Sequence, residues 1–106
     1  MTVDEVVSTM PADDYVISTV TRDDGTTVDV AFRYPRYRDF AVYISQSKTA
    51  DEVTAQVTLL RMTCLTHDHK ELDALLDQRS GLALILKTTA ALSTNLSVGV
   101  EVKKSV

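Results

Sequence analysis

The hydrophobic pattern changes period along the chain, and the first period is two. Across residues 15–34, two runs rich in β-branched and aromatic side chains flank Asp24-Gly25, a pair favoured in tight hairpin turns. A two-residue loop at that pair predicts strand partners that sum to 49. Tyr15 then faces Tyr34, Ile17 faces Phe32, Thr19 faces Val30 and Thr21 faces Val28. One face of the hairpin is apolar in this register. The other carries Ser18, Arg22, Asp29 and Arg33 with Val16 and Val20.

An isolated hairpin needs a surface to pack on, and the rest of the chain supplies helical spacing. Tyr37, Phe40, Ala41 and Ile44 fall at i, i+3, i+4 and i+7, predicting a helix that ends near Gln46. Thr49-Ala50-Asp51-Glu52 has the spacing of a capping box, and Val53, Val57, Leu60 and Cys64 form the stripe after it. Asp68-His69-Lys70-Glu71 is another box, leading into Leu72, Leu75 and Leu76. Ser80-Gly81 breaks and restarts the chain. Leu82, Ile85, Leu86, Leu92 and Leu96 line the last helix, with Leu84 on another side. Residues 2–5 also have capping-box spacing, so residues 1–12 read as a short helix or a frayed end. Residues 98–106 read as a mobile tail or a short edge strand of alternating valines. The predicted class is α+β, an N-terminal β-hairpin packed on a bundle of three to four short helices.

Length and composition narrow the picture. A chain of 106 residues is expected to form a single domain, spanning 1–106. Its 44% hydrophobic and 25% charged residues suit a globular core. The opening decapeptide carries Asp4 and Glu5 and no base, unlike the basic start of a secretory signal, and no apolar run is long enough for a membrane span. With Cys64 the sole cysteine, no intrachain disulfide is possible. These features together point to the cytoplasm.

Charge is segregated. Seven acids precede Phe32 against one base, Arg22, whereas Arg33-Tyr34-Pro35-Arg36-Tyr37-Arg38 reverses the sign. The basic stretch can pair with the acidic N-terminal third or with an acidic partner. Its mixture of arginines and tyrosines also suits single-stranded nucleic acid. A net charge of −4 argues against that partner, because phosphate-backbone binding needs a net basic surface.

Reactive side chains are sparse. Cys64, His67, Asp68 and His69 are the only cluster with metal-ligating chemistry. Zinc takes about four convergent donors, Asp68 is needed as a helix cap, and Cys64 lies on an apolar stripe. Asp13/Asp14 and Asp23/Asp24 fall in turns, where carboxylates bond to local backbone. No phosphate-binding glycine loop or nucleophile elbow is present in the sequence. The residues therefore predict neither an enzyme nor a metal or cofactor site.

From Phe32 onward, about two thirds of the chain resembles the small tail assembly chaperones of tailed bacteriophages. The resemblance rests on the strand-ending Phe32-Arg33-Tyr34-Pro35 and an amphipathic segment running to the apolar stretch 57–65. It continues in Glu71-Leu72-Asp73-Ala74-Leu75-Leu76 and in Gly81-Leu82-Ala83, which opens the terminal helix. The acidic N-terminal stretch and residues 98–106 depart from the pattern. The resemblance implies a non-enzymatic protein of the host-cell cytoplasm. It would bind a hydrophobic tape-measure or tail-tube protein during virion assembly. The partner-binding residues expected on this basis are Leu82, Leu84, Ile85 and Leu86, with Arg36 and Arg38. Two other readings compete with it. One is a structural or adaptor subunit acting as a homo-oligomer through its hairpin edges, and the other a small nucleic-acid-binding regulator using Arg33, Arg36 and Arg38.

Overall fold

The computed structural model describes residues 2–11 and 14–94. Its elements are α1 (Val3–Val7), β1 (Tyr15–Thr21), β2 (Thr27–Arg33), α2 (Tyr37–Thr49), α3 (Glu52–Thr63), α4 (His69–Leu76) and α5 (Gly81–Thr94). The class is α+β, with one antiparallel hairpin and helices packed against it. Leu96 and the alternating valines of the C-terminal stretch lie outside the described residues.

The hairpin forms where expected, but its register differs by one residue. Val16 pairs with Phe32, Ser18 with Val30 and Val20 with Val28, so partners sum to 48. The loop holds three residues rather than two. Gly25 N–H donates to Arg22 C=O at 2.9 Å, and Arg22 N–H donates to Thr26 C=O at 2.7 Å. Gly25 sits at φ 88°, the left-handed conformation that closes a three-residue loop with a bulge. A slip of one residue inverts every side chain of one strand. β2 keeps the predicted inward set of Val28, Val30 and Phe32, while β1 turns Val16, Ser18 and Val20 inward and leaves Ile17 exposed.

Contacts remote in sequence hold this register. Ser18 and Thr88 hydroxyls meet at 2.8 Å. The hairpin loop is clasped by the turn between α4 and α5. Asp23 N–H donates to Gln78 Oε1 at 2.8 Å, Arg79 N–H donates to Asp23 Oδ1 at 2.9 Å, and Ser80 Oγ donates to Thr21 C=O at 2.7 Å. Gly81 allows that turn to close tightly, since a Cβ there would collide with the Leu76 carbonyl.

Three of the helix starts are written in their caps. Thr2 accepts from Glu5 N–H, so the N-terminal segment is helical over Val3–Val7. Asp68 and Glu71 form the predicted reciprocal box ahead of α4. Asp51, not Thr49, caps α3, because α2 continues to Thr49 instead of ending at Gln46. The core joins Val20, Val30 and Phe32 of the hairpin to Leu60, Leu72, Leu75, Leu84, Ile85 and Leu92. Full burial of each large aliphatic side chain contributes about 1.5–3 kcal/mol.

α2 lies outside this core, against α3. Its predicted stripe is not its buried face. Tyr37 is 86% exposed and Ala41 and Ile44 are also exposed, while Phe40, Tyr43 and Gln46 are half-buried. The one buried residue of α2 is Asp39. Arg33 grips it with two bonds, at 2.7 and 3.2 Å, and also donates to the Met62 carbonyl at 3.0 Å. Among the described residues, Arg33 thus pairs with the next helix and with no acid of the N-terminal third.

Candidate protein-binding surface

The last helix has the composition of a core segment, with Lys87 as its one charge in 14 residues. A surface helix normally carries a charged face away from the core, and this one has almost none. Its inward side consists of Leu84, Ile85, Thr88, Thr89 and Leu92. Leu82 and Leu86, one turn apart, are 56% and 48% exposed and lie away from that side. The predicted stripe containing Leu82, Ile85 and Leu86 is therefore rotated, and Leu84 belongs to the core instead.

This rotation divides the six expected partner-binding residues. Leu82 and Leu86 are available to another molecule. Leu84 and Ile85, each 6% exposed, fill the protein's own core and can bind nothing in the closed fold. Arg36 and Arg38 are exposed at the start of α2. They line a groove with Arg33, Tyr37 and Asp39, and none of its lining residues comes from α5. The structure does not join the arginines to the leucine pair in one site.

One of the three arginines at this groove is matched by a carboxylate. Asp39 accepts from both Arg33 nitrogens and from Arg36 N–H at 2.8 Å. The Arg33 hydrogen bond holds its carboxyl below the usual carboxylate range, partly opposed by burial. Arg33 is consequently occupied, which leaves Arg36 and Arg38 as the exposed cations at that end of α2.

The residues with metal-ligating chemistry are dispersed. Cys64 is half-buried against the core and forms an isolated β-bridge with Phe32. His67 Nδ1 lies 2.7 Å from Thr66 Oγ1. Asp68 is engaged in capping, and its carboxyl is lowered chiefly by the Glu71 backbone N–H. Among the described residues no group of three His, Cys, Asp or Glu side chains converges as a metal ion requires. No described helix is long and apolar enough to cross a membrane.

One feature of the fold escaped the sequence reading because the register was shifted. Each edge of the hairpin is engaged only in part. At β2, the outward backbone groups of Ala31 are taken, its N–H by Thr66 Oγ1 at 3.2 Å and its C=O by Leu65 N–H at 2.8 Å, while those of Thr27 and Asp29 have no described partner. At β1, the corresponding outward groups belong to Ile17 and Thr19, and no described residue bonds to them. The signal in sequence was the absence of any charge or proline from Tyr15–Thr21, an unguarded edge.

Compared with known proteins, the chain matches no protein-family model, no curated protein and no solved structure.

Proposed function

We propose that the chain is a non-enzymatic protein-binding domain that shields an apolar segment of a partner. On the resemblance carried by residues 32–83, that partner is a tape-measure or tail-tube protein. The setting is then the host-cell cytoplasm during virion assembly. The observation that supports the reading is the outer side of α5, where Leu82 and Leu86 stand exposed on a helix whose other leucines fill the core. Exposed leucines a turn apart can seat in the apolar face of a client helix, and Lys87 beside them leaves most of that face uncharged.

The test is co-expression with a candidate tape-measure protein, followed by size-exclusion chromatography with light scattering. The expected result is a soluble complex that co-elutes and is lost in the double variant Leu82→Asp, Leu86→Asp. If the client precipitates while this chain elutes alone, the tail-assembly reading fails. A complex indifferent to both substitutions would move the binding face elsewhere.

A further inference from the structure

We propose that the outer edge of β1, unpaired among the described residues, is a second binding site, which captures an extended, acidic peptide strand from a partner protein. The edge and α5 form the two walls of an open groove of about 300 Å³. Ser18, Thr19, Val20 and Thr21 supply one wall, and Ala83, Leu84, Lys87 and Thr88 supply much of the other. The backbone groups of Ile17 and Thr19 point outward, two residues apart, at the spacing an added strand requires. β1 is seven residues long with no charge, no proline and no glycine, so nothing in it repels an incoming strand.

Charge selects the occupant. Among the described residues Lys87 is the only formally charged one lining the groove, and it forms no ion pair. A carboxylate on the incoming strand would complement it. A second copy of β1 would not, because Tyr15–Thr21 carries no acid. Two edges paired about a two-fold axis near Ser18 would set each Lys87 against its mate, with like charges opposed. The walls suit an extended chain with small or β-branched side chains, since exposed Ala83 offers apolar contact while the hydroxyls of Ser18, Ser80 and Thr88 are engaged within the protein. The site extends the protein-binding reading to a different surface and does not depend on Leu82 or Leu86.

The test uses the full chain, labelled for amide NMR, and a capped heptapeptide, Thr-Val-Thr-Glu-Thr-Val-Thr, with a counterpart bearing Lys in place of Glu. The Glu peptide should shift the Ile17 and Thr19 amides and slow their exchange. The Lys peptide should bind about fivefold more weakly, as expected for one exposed charge pair. Lys87→Glu, an exposed substitution, should reverse that preference. Ile17→Pro, which removes an outward donor and leaves the β1–β2 ladder intact, should abolish binding with an unchanged circular dichroism spectrum. Binding should persist in the Leu82→Asp, Leu86→Asp variant, separating this site from the face of α5. The proposal is overturned if millimolar Glu peptide leaves both amides unmoved, or if Lys87→Glu leaves the preference unchanged. Protection of the same amides before any peptide is added would also overturn it. Protection lost on dilution would assign the edge to a second copy, and protection lost on deleting residues 95–106 would assign it to the chain itself.

Discussion

α2 and α5 are of similar length, 13 and 14 residues, yet they are held by opposite means. α5 is fixed by apolar burial, through Leu84, Ile85 and Leu92 in the core and a hydroxyl contact from Thr88 to the hairpin. α2 buries no hydrophobic side chain fully. Its anchor is Asp39, gripped by Arg33 from the end of β2, while Phe40 and Tyr43 lie half-buried. The contrast separates two functions of an apolar residue. In α5 leucine builds the fold on one side and remains available on the other. In α2 the apolar residues Tyr37 and Ile44 face solvent, and a charged pair sets where the helix sits.

The largest expected effect comes from cutting into the anchor of α5. Leu92→Ala should cost about 2–5 kcal/mol, because Leu92 is fully buried and truncating it leaves a cavity in the core. Urea unfolding followed by circular dichroism should report it as a lower midpoint with an unchanged slope. Asp39→Asn comes next, at about 2–3 kcal/mol, because it leaves the Arg33 guanidinium half-buried without its counter-charge. The loss should be local. Hydrogen exchange should accelerate in α2 by more than in α5, and equal acceleration in both would show that the two helices unfold as one unit.

Acid should discriminate between the helices more gently. The carboxyls of Asp39 and of Asp51, the cap that follows α2, are held below their ordinary value, Asp39 chiefly by Arg33 and Asp51 chiefly by the Thr54 backbone N–H. A carboxyl lowered by folding stabilises the fold in full above its unfolded value, roughly 4. That contribution is lost as pH falls through the lower, folded value. α5 contains no acid. Between pH 6 and pH 2, Tyr43 ring signals in α2 should therefore move before the methyl signals of Leu84 and Ile85. The smallest effect belongs to the outer side of α5. Leu86→Glu should change stability by no more than about 0.5 kcal/mol, because the side chain is half exposed and is not a member of the core. A loss above about 1.5 kcal/mol in the same urea titration would mean that Leu86 supports the core.

Much of the architecture was legible because it is local. Period-two and helical spacing located both strands and the four helices after them, and the Asp68 cap was read from its own residues, whereas residues 1–12 stayed open between a short helix and a frayed end. The misreadings share a different character. Thr49 looks like a cap because Glu52 follows three residues later, but Asp51 captures the Thr54 N–H and the preceding helix runs through Thr49. Tyr37 and Ile44 fit an inward stripe, and yet the Asp39–Arg33 pair, formed with another element, turns the helix about its axis. Of the candidate site, Leu82 and Leu86 stayed available while Leu84 and Ile85 did not, because all four are leucine-like and spacing alone cannot rank two apolar sides of one helix.

By itself the sequence determined the element order from β1 onward, the α+β class, the inward face of β2 and the glycine that turns the hairpin. Each depends on neighbours within a few residues, where backbone sterics and periodicity leave little choice. Only the tertiary structure decided which face of β1 enters the core. Asp23-Asp24-Gly25 can close a loop of two residues or of three, and each choice presents a plausible apolar set, Tyr15 and Ile17 or Val16 and Val20. The contacts that select between them, Ser18 with Thr88 and the hairpin loop with residues 78–80, span 55 to 70 positions. The same choice turns the backbone of Ile17 and Thr19 outward at the edge, because strand register fixes which hydrogen-bonding groups point away from the partner strand.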